Sequence, residues 1–181
     1  MTVHSLKLPR ERVGALVGPH GAVKIEIEQR AGVALEVDSE SGEVTIDDAK
    51  AFEPVLALKV RDVVRAVGRG FAPDKAFRLF QDDVYLDIMD LTEFTRGDAK
   101  DLERVRSRLI GTGGKTRTSI EEASGANVSI YGKTVGLLGE IEEIQIAREA
   151  VEMILDGAPH TAVYKFLERR RKELRLHDLG F

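Results

Sequence analysis

The residues best placed to do chemistry in this chain are bases gathered around glycines. Arg104, Arg106, Arg108, Lys115 and Arg117 fall in a stretch with no Asp or Glu between Arg104 and Ile120, and Gly111-Thr112-Gly113-Gly114 sits inside it. Glycines at that spacing let a chain turn sharply between helices with no Cβ in the way. An anion, including a phosphodiester backbone, can then approach the main chain closely. A helix beginning at Lys115 would point its first amides and the positive end of its dipole at that anion. Lys115 and Arg117 would add formal charge. The candidate anion-binding set is therefore Arg104, Arg108, Gly111, Thr112, Gly113, Gly114, Lys115 and Arg117. A second basic cluster, Lys165, Arg169, Arg170, Arg171, Lys172 and Arg175, nominates Arg169, Arg170 and Arg171 as further contacts.

Other chemistries fit poorly. Gly114-Lys115-Thr116 and Gly132-Lys133-Thr134 end like a phosphate-binding loop of nucleotide hydrolases. That motif requires a glycine five residues before the second one, and those positions hold Leu109 and Asn127. The chain has no cysteine, so thiolate metal sites, disulfides and a cysteine nucleophile are excluded. Its four histidines, His4, His20, His160 and His177, are scattered, and none has a partner at metal-ligand spacing. Acid pairs such as Glu121-Glu122 and Glu142-Glu143 read as solvated helix faces. No enzyme, metal or cofactor is expected.

Charge is distributed unevenly over the 181 residues. The net value of −4 would argue against a polyanion partner, yet residues 1–95 carry −5 and residues 96–181 carry +1. Local charge decides where a polyanion docks. With 43% hydrophobic residues the chain can build a core, and it has no apolar run long enough to span a membrane and no signal-peptide core. A cytoplasmic location is expected.

An internal repeat positions these residues. Leu16-Val17-Gly18-Pro19-His20-Gly21 aligns with Leu109-Ile110-Gly111-Thr112-Gly113-Gly114 at an offset of 93, and the match continues through Lys24/Arg117, Ile27/Ile120, Glu28/Glu121, Gly32/Gly125, Leu35/Val128 and Val37/Ile130. Each glycine pair punctuates two helices, and Gly32 and Gly125 are natural helix-ending glycines. Alternating apolar residues then start strands. The order strand, helix, glycine loop, helix, strand, strand, helix resembles the type I KH fold. The expected fold class is α+β, with two tandem type I KH domains (βααββα) plus a C-terminal helix. Residues 1–70 form the first domain, 71–82 a linking helix, 83–158 the second domain, and 159–181 a basic helix and tail lying outside the repeat. In KH modules the glycine loop clamps single-stranded nucleic acid while bases lie on an apolar groove, for which Leu109, Ile110, Val128 and Ile130 are candidate walls. The first copy, Gly18, Pro19, His20, Gly21 and Lys24, is the weaker clamp, because Glu36, Asp38, Glu40 and Glu43 follow on the adjoining strand and turn and would make an acidic rim.

The segments Arg108 to Arg117, Ile120-Glu121-Glu122, Tyr131 to Val135 and Gly157 to Arg171 together resemble the two-KH ribosome-assembly proteins of the Dim/Pno/Krr type. The resemblance implies binding near the 3′ end of small-subunit ribosomal RNA during its maturation. It also implies two protein partners: the nuclease that trims that end and, in archaea, the alpha subunit of translation initiation factor two. No extension precedes Met1, so the compact archaeal form is expected. A reading from another class, a protein-interaction adaptor whose KH folds no longer clamp RNA, predicts no salt-dependent RNA binding.

Overall fold

The computed structural model describes residues 2–181. The chain folds as two compact units, one ending at Asp82 and one spanning Asp83–Phe181. The first runs β1 (Val3–Lys7), α1 (Arg10–Val17), α2 (Ala22–Ala31), β2 (Ala34–Val37), β3 (Glu43–Asp47), α3 (Pro54–Gly68) and α4 (Pro73–Ala76), which continues as a 3-10 turn over Phe77–Phe80. The second runs β4 (Tyr85–Asp90), α5 (Ala99–Ile110), α6 (Lys115–Ser124), β5 (Asn127–Tyr131), β6 (Thr134–Gly139), α7 (Ile141–Leu155) and α8 (His160–Asp178). Each unit has an antiparallel three-stranded sheet with its last strand in the middle, β1-β3-β2 and β4-β6-β5.

Local sequence explains the element ends. Pro54 opens α3, where its missing N–H costs nothing. Asp98 caps α5 by accepting from the Lys100 amide at 2.9 Å. Glu140 and Glu143 form a reciprocal capping box on α7. Gly32 and Gly125 end α2 and α6 in the left-handed region, at φ 71° and 83°. Glu28 and Glu121, one turn earlier, then do the same job in each unit. Glu28 Oε1 accepts from the Leu35 amide and Glu121 Oε1 from the Val128 amide, both at 2.9 Å. The repeated glutamate therefore ties the end of the second helix to the strand that follows.

Each core lies between one sheet face and the helices. In the first unit Leu35, Val44 and Ile46 are buried together with Val13, Leu16, Ile27 and the inner face of α3. In the second, Met89, Val128, Val135 and Leu137 pack with Val105, Leu109, Ile120, Ala147, Val151 and Ile154, and α8 adds Val163, Phe166 and Leu167. Burying each of those three α8 side chains is worth about 1.5–3 kcal/mol. The C-terminal helix is thus part of the second unit's core.

That placement corrects the expectation that α8 stands outside the repeat. From Gly70/Gly157 onward the two units align at an offset of 87, matching Phe71/Ala158, Ala76/Val163, Phe77/Tyr164 and Leu79/Phe166. Both glycines are left-handed, at φ 98° and 91°. The Phe71 and Ala158 amides donate to the Ala66 and Met153 carbonyls at 3.1 and 2.9 Å, the same backward step at the end of α3 and α7. The segment Pro73–Phe80 and the first turns of α8 are therefore the same element. Pro73–Phe80 is also no mere linker: Ala76 and Leu79 are buried, and the Arg30 guanidinium of α2 lies 4.8 Å from the Phe77 ring centre.

Candidate nucleic-acid interface

Each unit has a glycine loop at the centre of its own candidate site, and the two loop backbones agree closely. Gly18 and Gly111 have φ/ψ of 74°/173° and 75°/171°. Gly21 and Gly114 have 75°/12° and 77°/13°. Between them His20 sits at 54°/28° and Gly113 at 62°/21°, so a histidine occupies in one loop the left-handed position that a glycine occupies in the other. The same turn bond closes each loop, from the Gly21 amide to the Gly18 carbonyl and from the Gly114 amide to the Gly111 carbonyl, at 3.1 Å in both. Gly18 and Gly111 are obligatory on two counts. Their φ/ψ region is essentially restricted to glycine. A Cβ there would also come within 2.9 Å of the Val23 amide nitrogen or 2.8 Å of that of Thr116.

The second loop exposes Thr112, Gly113 and Lys115. Lys115 is the first residue of α6, so its ammonium stands at the helix end that attracts anions. The helix start is locked from beneath by α8. The Thr116 side chain is buried, and its Oγ1 lies 3.0 Å from the Tyr164 hydroxyl. Lys115 Nζ is 5.5 Å from the centre of the Tyr164 ring, which stacks on His160. His160 Nε2 is 2.9 Å from the Arg108 carbonyl. Residues on α8 therefore fix both the end of α5 and the start of α6, the two sides of the loop.

The flanking arginines divide. Arg108, expected as a flanking phosphate contact, spends its donors inside the fold. Its Nη1 donates to the Ile154 carbonyl at 2.7 Å and its Nη2 to the Ala158 carbonyl at 2.6 Å, which clasps the end of α7. Arg12 does the same work in the first unit, donating to the Val67 and Phe71 carbonyls at 2.8 and 2.9 Å. Val67/Ile154 and Phe71/Ala158 are matched positions, but Arg12 and Arg108 are not matched in the loop alignment. They lie one helical turn apart, which is why the repeat did not expose the shared role. Arg104 is largely exposed and pairs with Asp101 at 2.6 Å. This pair holds the Asp101 carboxyl below the usual carboxylate range, chiefly through the hydrogen bond from Arg104. Arg117 faces Glu121 at 3.4 Å. The acid-free run in sequence thus acquires carboxylates in space at both ends, and Lys115 remains the exposed cation at the loop. Of the expected groove walls, Leu109 and Val128 are core; Ile110 and Ile130 stay partly buried.

The first loop differs in side chains. It presents Pro19 and His20, and α2 begins with Ala22 where α6 begins with Lys115. Lys24 is partly buried on α2. The acidic rim expected beside it is not assembled as foreseen. Leu35 is 2% exposed against the helices, so alternation along β2 turns Glu36 to the opposite sheet face. Asp38 is occupied in the hairpin turn, accepting from the Glu40 and Ser41 amides at 2.9 and 3.3 Å. Those bonds, the Glu40 amide first, lower its carboxyl below the ordinary range. On α8, Arg169 lies 5.7 Å from the Phe166 ring centre, Arg170 pairs with Glu173 at 3.4 Å, and exposed Arg171 borders a groove with Lys115, Ser119, Glu122 and Tyr164. Among the described residues there is no group of three or more His, Asp and Glu that could hold a metal, and no helix long and apolar enough to cross a membrane.

Residues 85–172 match a family model described as the eukaryotic type KH domain (KH-domain type I), drawn for the second such domain of PNO1. The KH domain-containing protein MJ0443 of Methanocaldococcus jannaschii is 46% identical over 96% of this chain and 76% of its own length. The chain belongs to the PNO1/Dim2-type KH-domain family. This PNO1/Dim2-type chain is 32% identical to the pre-rRNA-processing protein pno1 of Schizosaccharomyces pombe over 72% of its length, and spans 55% of that protein. A protein chain in the crystal structure of the a/eIF2alpha–aDim2p–rRNA complex from Pyrococcus horikoshii OT3 is 44% identical, with a TM-score of 0.88 and 95% of each chain covered.

Proposed function

We propose that this protein binds single-stranded RNA, and that its RNA is small-subunit ribosomal RNA, held near the 3′ end during maturation. The carrying observation is the loop at Gly111–Gly114. Its glycine backbone feeds an exposed lysine into a helix start, and it lies within the residues that match the KH family model. A sugar-phosphate backbone would run over Gly111, Thr112, Gly113 and Gly114, with Lys115 as the principal charge and Arg117 and Arg104 supplementing it. The nature of the relatives supports the choice of RNA: one is a pre-rRNA-processing protein and another is crystallised with rRNA and a/eIF2alpha. The alpha subunit of initiation factor two is accordingly the proposed protein partner.

The first unit is proposed to be a second type I KH module. It repeats the element order, the sheet topology and the loop dihedrals of the second. Its loop can receive a backbone but offers little charge, so it is expected to add less to affinity. Titration of a single-stranded RNA at increasing salt tests the proposal. Neutralising about four phosphates gives a slope of log affinity against log salt near −3, at ~0.7 per contact. A flat response would favour the adaptor reading instead. Duplex RNA should compete poorly, because the groove needs splayed bases.

A further inference from the structure

Three arginines have an Nε that is buried without a hydrogen bond: Arg69, Arg106 and Arg170. Arg69 and Arg170 are engaged through other contacts. Arg106 is not; among the described residues its guanidinium has no hydrogen bond, ion pair or ring contact. Its neighbours on α5 are both committed, Arg104 to Asp101 and Arg108 to the end of α7. Only the Nε is buried; the two Nη are left without a protein partner and are open to a ligand.

Helix geometry says where that ligand would lie. At 100° per residue, Arg106 and Arg108 leave α5 about 200° apart. Arg108 reaches α7, so Arg106 projects from the side away from it. Ile110, one turn further on, shares that side and runs directly into the glycine loop. α5 also packs against β5, an edge strand of the second sheet, whose Ile130 is partly buried. Arg106 therefore lies on the Ile110 side of α5, about 7.5 Å along the helix from Gly111 at 1.5 Å per residue. A nucleotide whose phosphate rests on the loop would have its base within reach of this side of α5. The matched position in the first unit is Val13, buried at 5% exposure, which offers no donor.

We propose that Arg106 is a base-reading residue of the second unit, donating one N–H from each of its two Nη in parallel to a base with two adjacent acceptors. Guanine (O6 and N7) and cytosine (O2 and N3) present such a pair; adenine and uracil do not. The inference rests on the RNA-binding reading. It adds that the second unit discriminates among bases through this guanidinium while the loop holds the backbone.

A pool of random ten-nucleotide single-stranded RNAs, selected on the full chain and sequenced, tests it. The unaltered protein should enrich guanine or cytosine at one position. Arg106→Met should lose that enrichment, keep its preferences elsewhere, and bind the selected sequence about tenfold more weakly. Arg106→Lys, which keeps the charge but lacks the fork, should fail to restore it. Melting curves should match the unaltered protein, since Arg106 holds nothing in the fold. Unchanged enrichment in Arg106→Met would overturn the proposal. So would a loss uniform across all sequences with a shallower salt dependence, which is the mark of a phosphate contact. Failure of the unaltered protein to retain any RNA would overturn the RNA-binding reading itself and Arg106 with it.

Discussion

Residue by residue, the loop at Gly18–Gly21 follows the path of the loop at Gly111–Gly114, including the left-handed residue between the glycines and the turn bond that closes each one. What they display is different. One shows a proline and a histidine before an alanine; the other shows a threonine and a glycine before a lysine that opens the helix. The difference continues at a matched position further along: Phe77 lies against Arg30 of α2, whereas the Tyr164 hydroxyl meets Thr116 at the start of α6. The comparison separates two properties that are usually inherited together. Shape belongs to the glycines and to the buried residues behind them. Charge and preorganisation belong to a few side chains that can change without disturbing the shape.

The arginine clasps give the largest test of that shared frame. Arg108→Ala should leave the Ile154 and Ala158 carbonyls without their partner, and Arg12→Ala the Val67 and Phe71 carbonyls. Each loss should cost about 3 kcal/mol, read by denaturant unfolding with amide exchange localising the weakening to the end of α7 or α3. A cost below about 1 kcal/mol in either unit would show that the clasp is not common to both.

The loops themselves come next. Thr112→Asp with Gly113→Asp puts two carboxylates where a phosphate is proposed to rest. His20 shows that the middle position accepts a side chain, and Asp is among the residues that tolerate the left-handed region. Folding should survive, and RNA affinity should fall at least tenfold, about 1.4 kcal/mol. Pro19→Asp with His20→Asp should cost clearly less. Equal losses would mean that both loops hold RNA alike, and a loss in the first alone would reverse the assignment.

A smaller effect is expected beneath the second loop. Tyr164→Phe removes the hydroxyl shared with Thr116 and should lower stability by about 1 kcal/mol. RNA affinity should fall less than in the loop variant. If stability falls while affinity stays fixed, α8 supports the fold without shaping the loop.

Acid titration should show the least contrast. Asp38 and Asp82 in the first unit and Asp90 and Asp101 in the second all have lowered carboxyl pKa values, each chiefly through a hydrogen bond, from the Glu40 amide, Lys59, Thr92 and Arg104 in turn. A carboxyl lowered in the folded state contributes stability that is complete above its ordinary value near 4 and disappears as pH falls through the lowered one. Both units should therefore weaken together below about pH 4. Preferential melting of one unit in acid would break the symmetry.

Much of this arrangement was legible in the sequence. The glycines, the helix-ending Gly32 and Gly125 and the apolar alternation mark the helices and strands of both units, because these residues act on their own backbone. Residues that act at a distance were harder to see. In sequence the repeat is hidden beyond the hairpin because its offset changes from 93 to 87: the step from Ile130 to Val135 is two residues shorter than from Val37 to Val44, and that from Val135 to the start of α7 four residues shorter than from Val44 to the start of α3. Arg108 looked like a phosphate ligand because a sequence shows charge but not the carbonyls that consume it. Glu36 looked like a groove acid because strand alternation sends it to the far face only once the buried face is known. Arg106 is hidden in the sequence for the opposite reason: its lack of partners is visible only once every neighbour has one.

The bonds from Glu28 to Leu35 and from Glu121 to Val128 carry a consequence for the order of folding. Each spans seven residues, a loop short enough to close in tens of nanoseconds. The outer strand of each sheet waits far longer for its partner: Val3 pairs with Asp47 and Tyr85 with Gly139. Helix, corner and hairpin in each unit should thus condense as a local nucleus, with β1 and β4 added last at the greater entropic cost of closing a long loop. Mutating either glutamate should slow refolding as well as weaken the native state, whereas shortening β1 or β4 should chiefly speed unfolding.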